Sequence, residues 1–323
     1  MSGLPGLIDL LEDQRIGRPS FMKEGVCMQS LKRSWQKNWV GYFFLTPWLI
    51  GLIGLSVIPM AASLYFSFTS YDMFTAPEWI GLSNYIEMFN DAKWLKSVKV
   101  TLIYVFLGVP LQLAFALGVA VLLNRGLKGL QVYRAIYYVP SLFGGSVAIA
   151  LLWRQLFGGE GLINKVLALV GIEGQNWISS PDTALYTLII LTIWQFGAPM
   201  VIFLAGLKQV PVELYESSLI DGAGPVKQFF SITLPLITPI IFFNLVMQII
   251  SAFQAFTPAY IVSGGKGGPL DSTLFYTLYL YQKGFTQFQM GYASAMAWFL
   301  LACISVVTAI VFISSKKWVY YQE

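Results

Sequence analysis

Two groups of residues in this chain have types and spacings that could do chemistry, and in both the chemistry is binding. The first group is Glu216, Ser217, Ser218, Asp221, Gly222, Ala223 and Pro235. Residues 212–220 have helix-forming content, with acids early, where the helix dipole favours them. Gly222 and Gly224 end that helix, and Pro225 stands where a first helical position would be. The order predicts helix, tight glycine turn, helix, with Gly222 supplying a positive φ or a close backbone approach. An ordinary amphipathic connector would have the same shape.

The second group is neutral and set among apolar residues: Gln112, Gln195, Asn244, Gln248, Ser251 and Gln254. Asn244, Gln248 and Ser251 recur at helical spacing and share one face. Such groups serve as hydrogen-bond glue between helices, at about 0.6–2 kcal/mol each, or line a path for a hydroxyl-rich solute. For the face as a whole a path is the favoured reading. Trp194, Phe253, Phe256 and Tyr260 could stack on sugar rings, although aromatic packing explains each of them equally well. The candidate path is Trp194, Gln195, Asn244, Gln248, Ser251, Gln254 and Tyr260.

Other chemistries are excluded. The chain has no histidine, which removes the commonest general base, the commonest zinc ligand and any Ser-His or Cys-His dyad. Cys27 and Cys303 stand in unlike contexts and suggest neither a disulfide framework nor a metal site. Lys266 among Gly264, Gly265, Gly267 and Gly268 is no phosphate loop, because Gly267 stands where a Ser or Thr should bind magnesium. A net charge of +4 with no basic block gives no footing for nucleic acid.

The elements that must hold these residues follow from composition. Of 323 residues, 56% are hydrophobic and 11% charged, and mean hydropathy is +0.66. That charge is less than half of the roughly 25% typical of soluble domains, so the chain is an integral membrane protein. Six charge-free stretches reach 19 residues or more: 38–71, 100–124, 135–153, 183–207, 228–265 and 284–315. A helix needs about 20 apolar residues to cross the hydrocarbon core. Six helical spans are expected near 40–66, 100–124, 135–157, 184–207, 232–256 and 291–315. A loop at 208–231 carries the first residue group except Pro235, which lies at the start of span five.

Of the 20 Lys and Arg residues, 13 lie before span one, after spans two and four, and in the tail. The bias places both termini in the cytoplasm. Residues 1–38 form a cytoplasmic segment and 318–323 a tail. The first 27 residues fit poorly and are expected to be dispensable, or translation to begin at Met22 or Met28. No Asp, Glu, Lys, Arg or His lies within a span, and only Lys99 and Arg154 touch edges, which argues against proton coupling. It also leaves no cation in the path for a phosphorylated solute.

Glu216, Asp221, Gly222 and Ala223, followed at a fixed offset by Ile232, Leu234 and Pro235, resemble the EAA loop of bacterial ABC-importer permeases. Ser217 and Ser218 replace the family's paired alanines. The resemblance runs from about Trp39 to Lys317 and is to the carbohydrate-uptake branch, with the maltose and glycerol-3-phosphate permeases. Further matches are Gly81 to Tyr85, Arg134 to Pro140, Gly267 to Thr273 and Gly291 to Trp298. The resemblance implies an all-α fold of the type I importer permease kind, with six spans, in the bacterial cytoplasmic membrane. It implies that the 213–235 loop couples to an ATPase and that the chain itself is no enzyme. Cofactors are none in this chain, with ATP and magnesium held by the ATPase. Implied partners are a second, similar permease, two ATPase subunits, an extracytoplasmic solute-binding protein, a mono- or oligosaccharide and the lipid bilayer. The rival reading is a self-sufficient secondary transporter or facilitator for a small polar solute.

Overall fold

A computed structural model describes residues 39, 41–124 and 129–320. The expectations for 1–38 and for the last three residues of the 318–323 tail lie outside the described residues. The chain divides into two units, 1–62 and 63–323. Of the first, Trp39 and a helix from Gly41 are described. That helix runs Gly41–Ser67 and is apolar throughout, with a π-turn at Ile53–Val57.

Three more helices are long and apolar enough to cross a membrane: Ala92–Leu123, Thr238–Val262 and Met290–Trp318. Two pairs of shorter helices pass the same test together. Leu130–Phe143 and Val147–Leu156 are bent by 98°, and Ala184–Trp194 and Gly197–Leu207 by 41°. Counting each pair as one span gives six. The span expected as continuous over 135–157 is therefore two helices at nearly a right angle, broken at Gly144 and Gly145. The span over 184–207 breaks at Gln195 and Phe196. Span five is interrupted at 254–256 before a last short helix, Thr257–Val262. Charge-free length measures which solvent a segment tolerates, not whether it is straight, so these breaks leave no mark in it.

The second span begins at Ala92 rather than near 100. Its extra turns carry Lys93, Lys96 and Lys99, which end the charge-free stretch without ending the helix. This helix is the centre of the second unit. It packs on Ala184–Trp194, on Gly197–Leu207 and on Thr238–Phe253. Its small residues Gly108, Ala116 and Ala120 face that interior, together with Val105 and Val109. Phe106, Ile310 and Ile313 are exposed, as helix faces turned to lipid would be.

Short elements flank the spans. A two-residue antiparallel hairpin pairs Thr69 with Trp79 and Ser70 with Glu78. The buried amide of Asn84 donates 2.9 Å hydrogen bonds to the carbonyls of Ser67 and Thr69. Gly291 opens the last span beneath the hairpin, donating its N–H to Tyr71 O at 3.0 Å. A Cβ at Gly291 would lie 2.1 Å from Thr69 O.

Asp91 caps the central helix, accepting from the backbone N–H of Lys93 at 2.9 Å and Trp94 at 3.4 Å. The hydroxyl of Tyr279 donates to its Oδ2, as does that of Tyr292 at 3.0 Å. Lys283 Nζ stands 3.9 Å away. One carboxylate thus ties three helical segments together. Burial pushes its pKa up, but the bonds from Tyr279, Tyr292 and the two backbone N–H groups outweigh that and hold it below the usual value. A carboxyl lowered by folding stabilises above its unfolded value, about 3.9, and loses that contribution as pH falls further. The purified chain is expected to melt at a constant temperature above about pH 5 and at falling temperatures below about pH 4. Asp91→Asn is expected to lower the melting temperature at pH 7 and flatten part of that acid limb. Identical acid limbs in both proteins would refute the role given to Asp91.

Candidate functional site

The broken spans set their breaks against one another. In span four the break frees the carbonyl of Gln195, which accepts from Gln112 Nε2 at 3.2 Å and Ser141 Oγ at 2.9 Å. Ser141 Oγ in turn accepts from the N–H of Ala198 at 2.9 Å. In span three the freed carbonyl of Gly144 accepts from Gln195 Nε2 at 3.1 Å. In span five the carbonyl of Ala255 accepts from Thr277 Oγ1. Irregular backbone at membrane depth is tolerated where side chains replace the missing ladder or where it lines a cavity. Here both conditions hold.

The cavity between the breaks has a volume of about 230 Å³. Gln112, Gln195, Gln248, Ser251, Tyr104, Thr192 and Thr257 supply its polar walls. Tyr104 and Thr192 hydrogen bond through their hydroxyls. Gln112 is 3% exposed, and its Oε1 has no hydrogen-bond partner. No Asp, Glu, Lys or Arg lines the chamber, so it offers a solute amide and hydroxyl groups.

Three of the seven candidate path residues, Gln195, Gln248 and Ser251, line this chamber. The other four do not. Asn244 is buried one turn below and donates to Ile240 O of its own helix at 3.1 Å. Trp194 points the other way and meets the Trp153 ring at 5.9 Å. Gln254 is exposed at the C-cap of Thr238–Phe253. Tyr260 joins an aromatic cluster with Phe256 and Tyr281, at 5.3 and 5.6 Å. Tyr104 and Thr192 were missed, because a tyrosine or threonine in an apolar helix is no signal by itself. The break beside Gln195 is what brings Thr192 to the wall.

The first residue group forms Val212–Ile220, then a turn, then Pro225–Gln228 with Pro225 in its first turn. Gly222 has φ +74°, the left-handed conformation favoured by glycine. Its N–H donates to Leu219 O at 3.0 Å, and that of Ala223 donates to Ser218 O at 2.9 Å. The helix buries no residue. Glu216, Ser217, Asp221 and Gly222 are exposed on it, and Ile220 is 88% exposed. Ser218 has a task that an alanine would lack: its hydroxyl accepts from Gln228 Nε2 at 2.9 Å. Tyr215 and Thr233 share a 2.8 Å hydroxyl bond beneath it. Both ties fasten the short helix to the start of span five. Pro235 sits within Leu234–Leu236, where its carbonyl accepts from Thr238 Oγ1 at 2.6 Å. Thr238 Oγ1 also accepts from the N–H of Tyr320 at 2.9 Å, tethering the tail at the same end.

Residues 79–319 match the family described as binding-protein-dependent transport system inner membrane component. The "Probable ABC transporter permease protein YesP" of Bacillus subtilis (strain 168) is 57% identical over 288 residues, covering 88% of this chain and 93% of that protein. The sn-glycerol-3-phosphate transport system permease protein UgpA of Yersinia pestis is 32% identical over 288 residues, covering 88% of this chain and 97% of that one. Among solved structures, a chain of a bacterial alginate ABC transporter, in complex with an alginate pentasaccharide-bound periplasmic protein, superposes with a TM-score of 0.76. That match is 20% identical and covers 88% of this chain and 96% of the other.

Proposed function

Because this chain belongs to the family of binding-protein-dependent transport system inner membrane components, we propose that it forms half of the translocation path of an ATP-driven carbohydrate importer. The family is a transport component and not a catalytic one. The energy therefore comes from elsewhere, and the helix Val212–Ile220 is where it arrives. The observation that carries this is the exposed helix and left-handed turn at Gly222, with nothing within 4 Å of where a Cβ would stand. Two hydrogen-bonded ties behind it make it a stiff handle on span five, whose far part carries Gln248 and Ser251. Displacing the handle moves one wall of the chamber, which is alternating access by a rigid element.

The chamber is smaller than the roughly 300–1,000 Å³ of ordinary small-molecule pockets, which fits one wall of a site that a second, similar permease completes. Its amides and hydroxyls suit sugar hydroxyls. In this reading Val212–Ile220 and both termini face the cytoplasm. Two ATPase subunits hold ATP and magnesium, and a solute-binding protein delivers the sugar on the outer face. The test is reconstitution in liposomes. The chain alone is expected to take up no sugar, and the complex with its ATPase to take it up only with ATP. Uptake by the chain alone would overturn the proposal.

A further inference from the structure

A second cavity, of about 370 Å³, lies beyond the chamber. It is lined by Arg154, Asn176, Ser179, Ser263 and Thr273, with Gly158 and Gly268 among its walls. No lining residue is acidic. The Arg154 side chain makes no hydrogen bond or ion pair with any described residue. Thr273 is 1% exposed, and its Oγ1 has no partner. A Cβ at Gly268 would lie 2.4 Å from that oxygen, so glycine keeps the pocket clear where the hydroxyl sits. Arg154 is exposed, so its guanidinium is open to a solute entering the cavity, and the buried Thr273 hydroxyl in the same cavity has no protein partner. An oxyanion on a polyhydroxylated solute supplies what they lack, since guanidinium binds carboxylate and phosphate through paired N–H groups.

The cavity is aligned with the path. Val147–Leu156 starts beside Gly144 and Gly145, which line the chamber, and carries Arg154 in its last turn. Thr257–Val262 starts with Thr257 and Pro258 in the chamber wall and ends at Val262 and Ser263 in the second cavity. At about 1.5 Å per residue, these two packed helices put the cavities roughly 8–15 Å apart. In the orientation proposed above the second cavity is the outer one. Arg154 stands in the last turn of Val147–Leu156, so it supplies a cation beyond the neutral chamber.

We propose that the Arg154 cavity is a subsite for an oxyanion carried on the transported saccharide, so that the importer takes an acidic sugar. This rests on the permease reading and narrows its substrate class. The test uses the full chain purified with its associated subunits, in nanodiscs washed free of soluble binding protein. Saturation-transfer NMR is run with D-galactose, D-galacturonate and D-galactose 6-phosphate as probes. Galacturonate or the phosphate is expected to bind at least about tenfold more tightly than galactose, the difference shrinking with salt. Whichever binds better identifies carboxylate or phosphate as the source. Arg154→Gln is expected to abolish the difference, Arg154→Lys to retain part of it, and Thr273→Ala to reduce it. Equal binding of all three probes, or a preference that survives Arg154→Gln in a normally assembled complex, overturns the proposal. Such a result would leave ATP-dependent uptake of a neutral sugar intact, so it is distinguishable from failure of the permease reading.

Discussion

Gly222→Asp is expected to leave the chain inserted and assembled in the membrane and to cut ATP-driven uptake about a hundredfold or more, equivalent to roughly 2.7 kcal/mol of lost coupling. Two effects act at this position and they predict opposite orders of severity. Backbone strain comes from φ +74°; it costs an ordinary L-residue about 1–2 kcal/mol, and aspartate tolerates the left-handed region better than alanine does. Docking strain comes from side-chain bulk and charge on a surface that the proposed ATPase complex would cover. A carboxylate buried there without a partner costs several kcal/mol. It would stand beside Asp221, with Glu213 and Glu216 on the same helix. If docking dominates, Gly222→Asp is worse than Gly222→Ala; if the turn alone matters, Gly222→Ala is worse. Uptake and ATPase co-purification of the two variants separate these cases. The first order is expected, and the second would remove Gly222 from the docking surface.

The turn was legible in the sequence because its signals are local. Helix-forming content, two glycines and a proline lie within one short run, and Val212–Ile220 and Pro225–Gln228 occupy the predicted places. The spans were legible as membrane-soluble lengths, since each bent pair is as apolar as a straight helix. The breaks were not, because Gly144, Gly145, Gln195 and Phe196 carry no charge and the bend depends on which carbonyls find donors in neighbouring helices. The candidate path shows the same division. Gln248 and Ser251 were found by periodicity along one helix. Periodicity placed Asn244 with them, but its amide is satisfied within its own helix. Trp194 and Gln195 are adjacent in sequence, yet the helix ends between them, so one faces Trp153 and the other the chamber. The Arg154 cavity draws its walls from four separate segments, and no single-segment pattern marks it.

Gly197→Val is expected to lower the melting temperature of the purified chain by roughly 2–5 °C, from about 1–3 kcal/mol of overpacking, and to abolish uptake in whatever fraction assembles. A Cβ at Gly197 would stand 2.2 Å from Tyr137 O, 2.8 Å from Tyr138 Cα and 2.9 Å from Ser141 Oγ. The first two are backbone atoms and cannot swing aside as a side chain would. Separating the helices would break the Ser141 bonds to Gln195 O and Ala198 N. It would also stretch the Gln195 bond to Gly144 O that spans the two breaks. Each of those groups would then be unsatisfied at membrane depth, where water is not available to replace the lost partner. The damage therefore reaches the chamber wall as well as the packing. Gly118→Ala is the matched control: it lies in the central helix with nothing within 4 Å of its Cβ position, and is expected to be neutral or slightly stabilising. A normal melting temperature for Gly197→Val would mean that the two bent spans are not held together at their breaks, and the chamber built on those breaks would have to be abandoned.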